Sequence, residues 1–187
     1  MIGSMMLAAL LTTGSFAQER PDPDAMIAAQ KAAMERFSMM DGVWRGPAWG
    51  IGPTGEKFEI TQTERVGDFL DGAIKVIEGR GYEADGTIGF NALGIISSDP
   101  TAGTYTMRSY AMGNAGDFPI KPTDDGFQWE IPAGPMTIRY TATIDGDTWR
   151  EVGDRITPEG EEIRFFEMTL TRVGDTDWPA GGAIEPE

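Results

Sequence analysis

From Gly42 onward, apolar and polar residues trade places with a period of two, and the runs are cut at near-regular intervals by tight-turn signals. In the clearest run, Met136, Ile138, Tyr140, Ala142 and Ile144 share one face, and Thr137, Arg139, Thr141 and Thr143 the other. Phe127, Trp129 and Ile131 against Gln128 and Glu130 repeat it. Successive side chains of an extended strand point to opposite faces, so the pattern predicts half-buried antiparallel strands. The punctuation falls at Pro53-Thr54-Gly55, Asp71-Gly72, Asp85-Gly86, Asp99-Pro100 through Gly103, Asp125-Gly126, Asp145-Gly146 and Pro158-Glu159-Gly160. A glycine after Asp accepts the positive φ of a two-residue hairpin turn, so each of these marks a reversal. Strands of about ten residues span about 33 Å, long for a sandwich and suited to a tilted barrel. The runs predict an all-β fold: a single antiparallel up-and-down β-barrel of eight to ten strands over residues 42–173. The stretch 113–124, with Gly113, Gly116, Pro119 and Pro122, breaks the alternation and is expected to form a mobile loop over the open end. Residues 174–187 are expected to be a disordered tail.

Before the strands the period changes. Residues 18–24 read as a flexible leader ending in a helix start, where Asp22 can cap, Pro23 suits the first helical position and Asp24 complements the dipole. An amphipathic helix is predicted over 25–41, with Ile27, Met34, Phe37 and Asp41 on one line and Met26, Ala33 and Met40 beside it. Such a helix would plug one end of the barrel, or its methionines would line a pocket. Residues 1–17 carry an apolar core, Met5 to Leu11, and a small-x-small site at Ser15-Phe16-Ala17, the pattern of a signal peptide cut after Ala17. Its leading segment has no Lys or Arg, a departure from the rule. The apolar core is too short to span a bilayer, and no cysteine follows it for lipid attachment. The mature protein is expected to be exported, periplasmic or secreted, and soluble, without stable membrane insertion.

The 187 residues, 40% of them hydrophobic, suit one domain with a real core. Thirty acidic residues against 15 basic ones give a net charge of −15, which repels nucleic acid and anionic lipid. Cysteine and histidine are both absent, so disulfides, Ser-His-Asp and Cys-His catalysis, common zinc sites and His-ligated haem are closed to this chain. No cofactor and no metal are expected. Asp145-Gly146-Asp147 matches part of a calcium loop but lacks the remaining ligands.

Several short pieces, in order, carry a resemblance. They are Met40 to Gly46 (Met-Asp-Gly-Val-Trp-Arg-Gly), Leu70-Asp71-Gly72, Leu93 to Ile96 followed by Asp99 to Tyr105, and Met168 to Arg172. Together they resemble the uncharacterised bacterial domain-of-unknown-function family 1579, over about residues 26–173. The resemblance implies a lipocalin-like, or calycin-like, barrel. It also implies that Trp44 sits at the closed end and stacks with Arg172, a structural contact of about 0.5–2 kcal/mol. The Gly-x-Trp-x-Gly entry is similar to that of haem-binding nitrobindin-like barrels, but those need a histidine that this chain lacks.

Charge on otherwise apolar strand faces marks candidate ligand contacts. Ile74, Val76, Glu78, Arg80 and Tyr82 alternate along one face, and Phe58, Ile60, Gln62 and Glu64 turn polar along another. Trp149 with Glu151, and Arg164 with Phe166, Met168 and Leu170, add one charge each. If these faces point inward, Gln62, Glu78, Arg80, Glu151 and Arg164 line the lumen together with Arg108 and Tyr110. Buried charges must be paired, and Glu–Arg pairs in an apolar cup would orient a ligand with one polar end, such as a carboxylate held by Arg. Alternatively, bulges at Gly79 and Gly81, or the barrel mouth, turn them to solvent. The reading is a non-catalytic barrel for a small apolar or amphipathic molecule. A structural envelope protein whose lumen is filled by Trp129, Tyr140, Phe166 and Met168 is the alternative. An isomerase or dehydratase with Glu78 or Glu151 as base and an Arg stabilising an oxyanion is the third.

Overall fold

The computed structural model describes residues 22–182 and 184, so the expected signal peptide and most of the leader lie outside the described residues. Helix α1, Pro23–Met34, opens as the sequence dictates: Asp22 caps it by accepting from the Asp24 amide at 3.1 Å, and Pro23 occupies the first turn. At Glu35 the chain tightens into a 3₁₀ segment, Glu35–Met40, so the expected single helix is two pieces. Ten antiparallel strands follow: β1 Gly42–Ile51, β2 Lys57–Phe69, β3 Ile74–Tyr82, β4 Ile88–Asp99, β5 Thr104–Ala111, β6 Asn114–Pro122, β7 Gly126–Ala133, β8 Met136–Asp145, β9 Thr148–Ile156 and β10 Glu162–Gly174. Each pairs with its neighbours in sequence and β10 returns to β1, which closes the barrel.

The two ends differ. At one end the 3₁₀ segment folds under the barrel and buries Met34, Phe37 and Met40 against Trp44, Val66, Ile96 and Leu170. Full burial of each large apolar side chain contributes about 1.5–3 kcal/mol. The indole of Trp44 donates to the Met40 carbonyl at 2.8 Å and meets Trp149 edge-on, ring centres 5.7 Å apart. Arg172 lies opposite Trp44 in the β1–β10 register, but its guanidinium donates to the Asp41 carbonyl, Nη2 at 3.1 Å, and pairs with Asp175. Both residues lie at this end, and the expected ring-to-guanidinium stack is absent among the described contacts. An unpaired main-chain carbonyl at the helix-to-strand junction is the stronger draw for a guanidinium. Below them Lys75, 1% exposed, bridges Asp41 and Asp68, each at 2.6 Å.

Two stretches depart from expectation. Residues 113–124 do not form a loop: Met112 and Gly113 turn the chain with positive φ (49° and 81°), and β6 follows as a strand. Six of its residues pair with β5, Asn114 through Pro119, but only Ile120, Lys121 and Pro122 pair with β7. Pro119, which has no N–H to give, sits where the β7 ladder stops. The tail is not wholly without structure either. Strand β10 runs to Gly174, Trp178 stacks under the Arg65 guanidinium at 4.4 Å, and the Trp178 carbonyl lies against Gly67 on the outside of the barrel. A β-carbon at Gly67 would collide with it, so glycine is required there.

Candidate functional site

Register fixes which side chains enter the lumen, because directly paired residues share a face. On β2 and β3, Gln62 pairs with Gly81, Glu64 with Gly79 and Val66 with Ile77. Even positions of β2 and odd positions of β3 therefore point inward. Glu78 and Arg80 consequently point outward, where Arg80 and Arg65 each meet Glu78 at 2.6 Å. The apolar residues that share their face, Ile74 and Val76, had suggested an inward side. Val76 is indeed buried, but on the outside, paired with Gly67 beneath the Trp178 segment.

The other expected lumen arginines are outside as well. On β5, Met107 and Ser109 line the lumen, so Arg108 and Tyr110 face out; Arg108 holds Asp117 at 2.7 Å and lies 5.4 Å from the Tyr110 ring centre. On β10 a bulge between Arg164 and Phe166 inserts Phe165 and reverses the alternation. Arg164, read from Phe166, Met168 and Leu170 as an inward residue, is turned out onto Asp154 at 2.6 Å. Of the seven expected lumen contacts, only Gln62 and Glu151 are inside. Glu64 joins them, an inward residue visible in the Phe58-to-Glu64 run but not singled out from it.

The lumen is a cavity of about 590 Å³ open at the end opposite α1. Met40, Phe127 and Trp149 form its floor, Ile60, Ile77, Phe90, Met107 and Phe118 its wall, and the turns after β1 and β5 its rim. Trp129, Tyr140, Phe166 and Met168 lie on the wall and leave the centre open, so the barrel is not filled. Trp129 and Tyr140 stack flat, 4.4 Å apart with 9° between planes. No lysine or arginine lines the cavity. The nearest guanidinium on an inward position is Arg155, which lies over the Phe165 ring at 4.9 Å and is not part of the lining, so Glu64 and Glu151 have no arginine beside them to stabilise an oxyanion.

The cavity's buried polar groups are two acids and their donors. Gln62 is 3% exposed and Glu64 and Glu151 are each 8% exposed. Gln62 Nε2 donates to Glu64 Oε1 at 2.7 Å, and Trp129 Nε1 to Glu151 Oε1 at 3.4 Å. Room for Glu64 is made by Gly79 across the β2–β3 ladder, since a β-carbon there would stand 2.8 Å from Glu64 Oε1. Trp149, also facing the lumen, has a buried indole N–H with no hydrogen-bond partner. Burial pushes the Glu64 pKa up to about 8, against the Gln62 hydrogen bond and with help from the charges of Glu151 and Glu78. Burial likewise lifts Glu151 to about 7, with the Trp129 and Trp149 indoles pulling it back. Tyr140 rises to about 12, chiefly by burial and also by the charge of Glu151, opposed by Arg155.

Among the described residues, no group of three or more Asp or Glu side chains is placed to hold a metal ion. Among them, too, no helix is long and apolar enough to cross a membrane. No protein-family description and no curated protein matches the chain by sequence. Among solved structures the chain is similar to Rv2717c from M. tuberculosis, at 16% identity and a TM-score of 0.57, over 75% of this chain and 96% of that one. At that identity the likeness is one of fold alone.

Proposed function

We propose that this protein is an exported, non-catalytic barrel that takes up one small apolar or amphipathic molecule in its lumen. The observation that carries this is the open cavity of about 590 Å³, walled by aliphatic and aromatic side chains and floored by Met40, Phe127 and Trp149. Ligand pockets span about 300–1,000 Å³ and are mainly apolar with a few placed polar groups, as here. A molecule burying about 300 Å² of apolar surface gains about 7 kcal/mol from dehydration, of which part offsets the cost of association. Before that cost, the gain corresponds to a Kd of about 10 μM, so the apolar contacts alone leave an affinity weaker than this. Export is supported by the apolar core and small-x-small site of residues 1–17. The test is titration with Nile red, an uncharged apolar dye. Binding should saturate at one dye per chain, and Ala92→Phe, which places a ring in the lumen from β4, should weaken it at least about tenfold while circular dichroism stays unchanged. Unsaturable binding, or equal binding by the folded variant, overturns the proposal.

A further inference from the structure

The lumen is selective in the sign of the charge it can match. Its lining contains two carboxyl groups and no cation, although the chain has 15 lysines and arginines to place. Arg80, Arg108 and Arg164 are held on the outer surface by Glu78, Asp117 and Asp154. Each inward acid uses one oxygen: Glu64 Oε1 accepts from Gln62 and Glu151 Oε1 from Trp129. Among the described residues no side-chain hydrogen bond reaches Oε2 of either, and neither Oε2 is among the fully buried unpartnered atoms, so each opens onto the cavity that both residues line. A carboxylate oxygen open to an apolar cup has little but a ligand or water to accept from.

On the reading that the lumen binds a small amphipathic molecule, we propose that this molecule carries a basic nitrogen, and that its ammonium group docks on Glu64 and Glu151 while its apolar body fills the cup. An ammonium is all donor and supplies the hydrogen bonds that both Oε2 atoms lack. The flat Trp129–Tyr140 stack offers aromatic surface beside Glu151, favourable to a cation. The donors already present prepare the acids for charge. Gln62 steadies an ionised Glu64, and the Trp129 indole an ionised Glu151. The net charge of −15 attracts cations toward the mouth as well.

The pH dependence has a definite sign. Empty, the two acids titrate at about 8 and about 7. Ionised partners are what an ammonium needs, so its binding expels protons and its affinity rises with pH across that window. The other titratable groups facing them are Tyr140 on β8, which stays neutral, Arg155 farther along β9 and Glu78 on the outside of β3, held by Arg65 and Arg80. Tyr140, raised to about 12, and Glu78, held against burial and below its ordinary value by Arg80 and Arg65, do not change charge between about pH 6 and about pH 8.5.

Three probes with one tail, dodecylamine, dodecanol and dodecanoate, separate the possibilities when titrated against the tryptophan fluorescence of the full protein. Dodecylamine should tighten about tenfold from about pH 6 to about pH 8.5, dodecanol should stay level, and dodecanoate should weaken. Glu64→Gln and Glu151→Gln should each weaken dodecylamine at about pH 8 by about tenfold or more and leave dodecanol within about twofold. The dodecanol result also shows that the variants keep a folded cup. If dodecanol binds but dodecylamine shows no rise with pH or no loss in the variants, the ammonium assignment is wrong and the apolar-ligand reading stands. If none of the three binds, that reading falls and the assignment with it.

Discussion

Two carboxyl groups in an apolar cup are costly for the fold that holds them. The ordinary pKa of a glutamate is 4.5, and Glu64 in the folded barrel titrates at about 8. The folded state therefore binds this proton more tightly than the unfolded chain. Stability is fully present below about pH 4.5 as far as this residue is concerned, and it declines as pH rises toward about 8. Glu151, lifted to about 7, acts in the same direction over a narrower window. Carboxylates held by surface cations behave oppositely, but they titrate at lower pH and do not enter this window. The expected outcome is a urea midpoint that falls between about pH 5 and about pH 9 in the unliganded protein. Glu64→Gln, nearly the same shape and without a proton to lose, should flatten the fall. At about pH 9 it should be more stable than the parent by a few kcal/mol, on the order of the shift it removes. A parent and variant with parallel pH curves would mean that Glu64 is well solvated. A site that gives up stability in its empty state points to function rather than folding as the reason for these residues.

At the level of strands, the turns were legible and the faces were not. Each signal fell at a reversal, and at all but Asp125-Gly126, where Gly126 opens β7 in extended backbone, a glycine takes the positive φ that few other residues meet. Those seven signals separate eight strands, and the reversals at Met112-Gly113 and Gly134, which they did not mark, bring the barrel to ten, the upper end of the eight to ten expected from the runs. Face assignment depends on what covers the outside. Ile74 and Val76 are apolar and point out, because the residues around Trp178 lie over that patch, and no local pattern announces a tail folding back. Arg164 was assigned from residues beyond a bulge, and one inserted residue, Phe165, exchanges inside for outside. Glu64 was legible in principle: it follows Ile60 and Gln62 at period two on a strand with no bulge between them. The broken alternation of 113–124 reports a real weakness, though of pairing rather than of strand formation. Since β7 meets β6 only from Trp129 down to Phe127, the segments Asn114–Phe118 and Glu130–Ala133 have no ladder between them near the mouth. Amides there that point across the gap should exchange with deuterium at least about tenfold faster than amides of the β8–β9 ladder, read by exchange NMR. Equal protection would mean that the seam is closed in solution.

Across the whole molecule the barrel is asymmetric, sealed where chemistry is structural and open where it is free. The seal brings together parts that are distant in sequence. Asp41 caps the 3₁₀ segment, Asp68 lies near the end of β2, Lys75 near the start of β3, and Arg172 near the end of β10 binds the Asp41 carbonyl. Lys75 is the hub, since its ammonium is buried while both of its carboxylate partners remain partly exposed. Burial dominates the Asp41 environment and pushes its pKa up against the Lys75 contact, so this carboxylate depends on that one cation for its charge. Removing Lys75 alone leaves Asp41 and Asp68 facing each other without a counter-ion. Lys75→Met, which keeps the aliphatic stem, should therefore destabilise the barrel by about 2–4 kcal/mol in urea unfolding, toward the low end because the acids reach water. Adding Asp41→Asn and Asp68→Asn should restore more than half of that loss, as a neutral end no longer needs the ammonium. Per folded molecule, Nile red binding should be the same in both variants, because the cluster lies beneath the cavity floor and none of its three side chains lines the lumen. A loss of dye affinity without loss of stability would instead show that the seal shapes the cup above it, and that the two ends of the barrel are not independent.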